Sequence, residues 1–242
     1  MCGRFALITP PVRLARYFGA TLDDAVEPEQ APSFNVAPTD QVVGVETRLD
    51  KETGEPLRRL RGFRWGLIPS WAKDPSGGSR LFNARSESVT TKPSFRTAFE
   101  KRRIIVPADG FYEWRTLSKG TKQPYFFTRT DGAPMAFAGL AEWWRNPKVP
   151  GEAPWVHSCT IITAPAGPDM GGIHDRMPVI LDPATFDLWL DPGNDDVDEL
   201  TGLLHAGATG TVTHHAVGSG VGNVRNNEPS LIAPAAEQQQ LL

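Results

Sequence analysis

Arg103-Ile104-Ile105-Val106-Pro107-Ala108-Asp109-Gly110-Phe111-Tyr112-Glu113-Trp114 is a short β-branched run, a Pro-Ala-Asp-Gly turn signal and a second short run rich in aromatics. Apolar runs of this length bounded by Gly, Pro and Asp read as strands, and a tight turn between two of them reads as a hairpin. The same signature recurs on both sides. Strands are predicted over residues 41–46, 57–65, 103–106, 111–114, 124–129, 135–140, 155–163, 179–181 and 211–216, with a second hairpin signal at Asp131-Gly132.

Helices are few. Pro10-Pro11 followed by Val12, Ala15, Tyr17 and Phe18, with Gly19 beyond, predicts a short helix with proline at its start and glycine past its end. A second has Asp182 as N-cap and Pro183 at the first position and runs to about residue 190; a third follows Asn194 with Val197, Leu200, Leu203 and Leu204 on one face. With 22 prolines and 23 glycines spread along the chain, many short strands and constrained loops are expected. The fold class is α+β: a mixed, mainly antiparallel, barrel-like sheet with peripheral helices. Residues 50–56 and 146–154 read as surface loops and 233–242 as a frayed tail; no linker interrupts 2–232, which is expected to be a single domain.

A chain of 242 residues with 40% hydrophobic residues and seven tryptophans can bury a substantial core. No apolar run is long enough for a membrane span or a secretory signal. Two cysteines, Cys2 and Cys159, make no disulfide framework and match a reducing compartment, so the cytoplasm is expected. The net charge of -3 excludes a protein that coats nucleic acid by bulk positive charge. Its distribution is lopsided: residues 58–103 carry twelve Lys/Arg against three acids, and residues beyond 181 carry nine acids against Arg225 alone. The acids fall largely at helix starts, where they favour the helix dipole. The basic run offers a face to a polyanion.

The chain opens Met1-Cys2-Gly3-Arg4-Phe5. Removal of one methionine leaves a 1,2-aminothiol, whose amine and thiol have ordinary pKa values of about 7.7–8.0 and about 8.5, both partly nucleophilic near neutrality. Toward an amide the thiolate attacks; toward an aldehyde the amine forms a Schiff base and the thiol closes a thiazolidine. Elsewhere, Asn83-Ala84-Arg85 offers an amide beside a guanidinium. Glu113 sits among aromatics, a setting that raises a carboxyl pKa and suits proton transfer. His174-Asp175-Arg176 follows Gly171-Gly172 on a turn, and Trp65 to Trp71 places two tryptophans inside the basic run, as base stacking on an unpaired strand requires. The five histidines and two cysteines show no zinc-ligand spacing, so no metal or other cofactor is expected. Gly218-Ser219-Gly220-Val221-Gly222 lacks the lysine of a phosphate loop and reads as a turn; Cys159 reads as a buried strand residue.

Together with Phe34-Asn35-Val36-Ala37-Pro38-Thr39 and the tail from Asn223 to Pro234, these segments occur in the order of the SOS-response-associated peptidase family, which the chain resembles over nearly its full length. The resemblance implies a protein that shields abasic sites in single-stranded DNA during the DNA damage response. It would lose Met1 and cross-link to the sugar aldehyde through Cys2 as a thiazolidine. It also implies an α+β pseudo-barrel with a positively charged channel, self-cleavage of the Met1-Cys2 bond and lyase-type chemistry. By resemblance Cys2 is the nucleophile, Asn83 orients the terminus and sugar, Glu113 is the acid/base and His174 assists ring opening. Arg4, Asn35, Arg85 and Arg176 are then strand contacts, and Trp65, Trp71 and Trp114 stacking or wedge positions. The expected partner is single-stranded DNA carrying abasic sites, bound by a monomer away from any membrane.

Two other classes compete. An N-terminal-nucleophile glutamine amidotransferase also begins Met-Cys-Gly, but this chain has no Asn-Gly pair for the oxyanion. A non-catalytic single-strand binding protein would use the basic run and tryptophans and leave Cys2 inert.

Overall fold

In the computed structural model, residues 2–50, 52–149, 153–205 and 211–235 are described. The strands are β1 (Phe5–Leu7), β2 (Thr21–Leu22), β3 (Ser33–Val36), β4 (Gln41–Leu49), β5 (Pro56–Trp65), β6 (Asn83–Arg85), β7 (Arg103–Ala108), β8 (Gly110–Thr116), β9 (Lys122–Arg129), β10 (Met135–Trp144), β11 (Val156–Pro165), β12 (Arg176–Pro178) and β13 (Val212–Ala216). The helices are α1 (Pro11–Tyr17), α2 (Arg96–Lys101), α3 (Phe186–Leu190) and α4 (Val197–His205), with several single 3₁₀ turns between.

One sheet runs β13-β9-β8-β1-β3 and the other β12-β11-β10-β7-β4-β5-β2. In the second, β5 also pairs in parallel with β11, at Ser158↔Arg64 and Cys159↔Trp65. That contact closes β11, β10, β7, β4 and β5 into a ring, which gives the fold its barrel character and leaves few free edges. The ring interior and the facing side of the first sheet share one core that includes Phe5, Phe63, Trp65, Ile104, Phe111, Phe137 and Cys159. A second core packs the outer face of the ring against the helices, with Leu14, Phe99, Ile105, Trp189 and Leu200 among its members.

Neither of the two sequence turn signals makes a hairpin. β7 pairs with β10 and β4, whereas β8 pairs with β9 and β1, so residues 107–110 form a corner between the two sheets. Asp109 holds that corner by accepting from the Ile8 and Thr9 backbone N–H groups. Gly110 is required for close approach rather than for a left-handed turn: a Cβ there would lie 2.4 Å from Phe126 Cζ and 2.5 Å from the Phe127 carbonyl oxygen. At Asp131-Gly132 a true tight turn forms, with Gly132 at φ 70°, but it carries the chain from β9 in the first sheet to β10 in the second. The predicted strand over 179–181 reduces to one bridge, Phe137↔Ile180, following β12. The tail's start is also pinned, by a Val217↔Pro234 bridge; residues 236–242 lie outside the described residues.

Much of the basic run serves the fold. The Arg103 side chain is buried and donates to the carbonyls of Phe99, Glu100, Trp189, Asp191 and Asn194, capping the ends of α2 and α3 with one guanidinium. Arg61 and Arg48 share the buried Glu46, Arg102 pairs with Glu142, and Arg58 with Asp187. Arg59, Lys73, Arg80, Arg85, Lys92, Arg96 and Lys101 are exposed. The face that could meet a polyanion is therefore smaller than the charge count suggests.

Candidate active site

Cys2 lies just before β1, whose Phe5 pairs with Phe111 of β8, so the start of the chain runs beside the strand that carries Glu113. Asn83 begins β6, which is laid parallel on β11 with Asn83 opposite Ile161. From there its Nδ2 donates to the Cys2 carbonyl oxygen at 2.7 Å. His174 ends the turn that leads into β12, the next strand on β11. Four strands from two sheets, β1, β6, β8 and β12, thus bring Cys2, Asn83, Glu113 and His174 together where the two sheets meet.

Electrostatics distinguishes this site from its surroundings. Cys2 is fully buried, and both burial and the neighbouring Glu113 carboxylate push its thiol pKa up. Glu113 is 2% exposed, and burial raises its carboxyl pKa while the nearby His174 opposes that rise. His174 Nε2 lies 3.9 Å from Glu113 Oε2. The Arg176 backbone N–H donates to His174 Nδ1 at 2.9 Å, which makes Nδ1 an acceptor and leaves the proton of the neutral ring on Nε2, facing Glu113. Asp175 Oδ1 is 3.0 Å from the same Nδ1, but it cannot accept from a nitrogen without a proton. Its side chain is 87% exposed.

The remaining sequence-derived positions divide. Trp71 is 67% exposed, on a loop whose Ala72 carbonyl accepts from Trp144 Nε1, and Arg85 is exposed. Trp114 is half-buried against the outer face of the first sheet. Trp65 is a correction: fully buried, with Nε1 donating to the Phe82 carbonyl and its ring 5.1 Å from that of Phe5, it has no open face for a base. Asn35 is another, since its buried amide donates to the carbonyls of Val221, Asn223 and Asn226 and so builds the tail loop. Arg4 joins that lattice through Asn35 Oδ1 and the Val221 carbonyl. Arg176 is buried, its guanidinium spent on Glu87 and on Thr163 of β11, so it anchors the His174 turn from inside. Nothing in the sequence around Glu87 marked it as that anchor. Arg115, also missed, donates from Nη2 to the Gly171 carbonyl at 2.8 Å. Its place two residues beyond Glu113 on a strand was the available signal, because side chains two apart share a face.

Among the described residues no cluster of three or more His, Cys, Asp or Glu could hold a metal, and no helix is long and apolar enough to cross a membrane.

The family model described as SOS response associated peptidase (SRAP) matches residues 1–224. The chain belongs to the SRAP family. It is 40% identical over 233 residues to the abasic site processing protein YoqW of Bacillus subtilis, an alignment that covers 96% of this chain and 99% of that protein. It is 32% identical over 275 residues to the abasic site processing protein HMCES of Rattus norvegicus, covering 97% of this chain and 76% of the relative. A crystal structure of a Bacteroides thetaiotaomicron protein superposes with a TM-score of 0.82 at 23% identity, covering 97% of this chain and all of that one, which establishes the common fold. A Bordetella bronchiseptica protein matches with a TM-score of 0.71 at 27% identity over 90% of this chain. The SRAP pseudo-barrel and the α+β class expected from the sequence are therefore those of the molecule.

Proposed function

We propose that this protein processes abasic sites in single-stranded DNA, forming a covalent thiazolidine through Cys2 after Met1 is lost. The observation that carries the reading is the hydrogen bond from Asn83 to the Cys2 carbonyl, which holds the residue that becomes the terminus beside Glu113. The names of the curated relatives supply the substrate class.

Met1 leaves first. The Cys2 thiol attacks the Met1 carbonyl carbon, the amide C–N bond breaks as the nitrogen takes the thiol proton, and water hydrolyses the resulting thioester. The product is methionine and a free aminothiol. The abasic sugar is mainly a closed hemiacetal, so His174 Nε2–H donates to the ring oxygen as the C1′–O4′ bond breaks and the C1′ hydroxyl loses its proton. The Cys2 amine adds to the exposed aldehyde. Glu113, whose carboxyl pKa burial raises, then protonates the departing hydroxyl. Water leaves and an imine forms. Addition of Sγ to C1′, with the thiol proton passing to nitrogen, closes the ring, so the net loss is one water. Closure also removes the imine, which would otherwise undergo β-elimination and cut the strand; that is the lyase-type side of the same chemistry. Trp71 stacks a base and Arg85 meets a phosphate. The unit acts as a monomer in the cytoplasm, through one domain spanning residues 2–232.

The test is incubation of the methionine-free protein with a single-stranded oligonucleotide carrying one abasic site, read on a denaturing gel beside Cys2→Ala. A heat-stable adduct that requires Cys2 supports the reading. Its absence, with Cys2 confirmed as the free terminus, overturns it.

A further inference from the structure

β8 meets the His174 turn at two points. Glu113 and Arg115 are two residues apart and so lie on one face of the strand. Glu113 Oε2 lies 3.9 Å from His174 Nε2, and Arg115 Nη2 donates to the Gly171 carbonyl, three residues before that histidine. The guanidinium is itself steadied over the Tyr125 ring, 5.4 Å from its centroid, and Tyr125 is the residue paired with Glu113 across β8 and β9. From the next strand, β13, His214 packs against Tyr125 and Phe127 and reaches under the turn. A Cβ on Gly171 would lie 3.0 Å from His214 Cε1. Gly171 and Gly172 both have positive φ, 54° and 67°, so the turn's path is one that other residues rarely adopt and has little stiffness of its own. The strand it leads into belongs to the other sheet.

We propose that Arg115 is a positioning residue: its hydrogen bond to the Gly171 carbonyl fixes the glycine turn so that His174 presents Nε2 to Glu113. The role rests on the acid/base use of Glu113 and His174 proposed above. Through Arg115 the strand that carries one partner also sets the distance to the other, and the tether spans the seam between the two sheets. Arg115 touches no reacting atom and moves no proton. A misplacement of about 1 Å can cost up to ~10²-fold in rate, so losing one of the turn's several tethers is expected to cost about tenfold.

The experiment compares wild type, Arg115→Met, which keeps the side chain over Tyr125 without a donor, and Arg115→Lys, which restores one. The first readout needs no DNA: the ring ¹⁵N shifts of His174 report its tautomer. Wild type gives the Nε2–H form, Arg115→Met a mixture, and Arg115→Lys returns toward wild type. The second is the rate of adduct formation at saturating abasic oligonucleotide, expected to fall about tenfold in Arg115→Met with unchanged half-saturation. Unchanged ring shifts in a folded Arg115→Met protein overturn the proposal, as does a loss confined to oligonucleotide affinity, which would make Arg115 a phosphate contact. If wild type forms no adduct, the function proposed above fails while the ring shifts still decide the role of Arg115.

Discussion

The molecule buries two thiols, and their surroundings differ. Cys159 sits on β11 within the ring, with apolar neighbours, and burial alone pushes its pKa up. Cys2 is as deeply buried, but Glu113 raises its pKa further, Asn83 holds its carbonyl, and His174 stands behind Glu113. Burial by itself makes a cysteine an inert small hydrophobe. What separates the two is the set of polar groups delivered to Cys2 from β6, β8 and the turn before β12, of which the Glu113 carboxyl is almost wholly desolvated. Such an arrangement is costly for stability and so points to chemistry.

The largest effect should come from removing the reactive member of the pair. Cys2→Ala, with no thiol either to expel Met1 or to close the ring, is expected to lose the heat-stable adduct entirely, whereas Cys159→Ala keeps it, and a gel of the two variants side by side checks both. Next, Glu113→Gln should slow adduct formation by about 10²-fold at saturating oligonucleotide, the usual worth of a placed acid/base. The same variant sharpens the comparison of thiols. Removing a carboxylate favours the thiolate, so Cys2 should alkylate faster at a fixed mildly alkaline pH in Glu113→Gln. Cys159, on which no carboxylate acts, should be unmoved.

The strands were legible in the sequence because apolar runs and turn residues mark them locally, and so was the set of polar segments, because none was demanded by packing. How strands are shared between sheets was not legible. Asp109-Gly110 has the chemistry of a hairpin turn, yet the glycine is there because Phe126 and the Phe127 carbonyl fill the space of a Cβ, contacts from a strand 16 residues onward. The short strands β1, β3 and β6, of three or four residues, were missed because they are strands only by virtue of their partners. Charge misled for the same reason: Arg103 counts toward the basic run and Arg176 reads as a strand contact until their carbonyl and carboxylate partners are seen. Tryptophan was ambiguous in principle, and only tertiary structure separates buried Trp65 from exposed Trp71.

Smaller effects follow from that division. Trp71→Ala should weaken binding to an abasic single strand by about 1–3 kcal/mol, the worth of one stacked base, and leave the rate at saturation unchanged. Thermal unfolding of Cys159→Ala should show a loss of about 1–2 kcal/mol, as for a small core truncation, with no change in adduct yield.

The most direct measurement is the intact mass of the product formed between the protein and a single-stranded abasic oligonucleotide, without added reductant. The expected mass is that of the protein lacking Met1 plus that of the oligonucleotide less one water, stable to heat. An adduct that retains Met1, one that survives only after borohydride reduction, or none at all would contradict it.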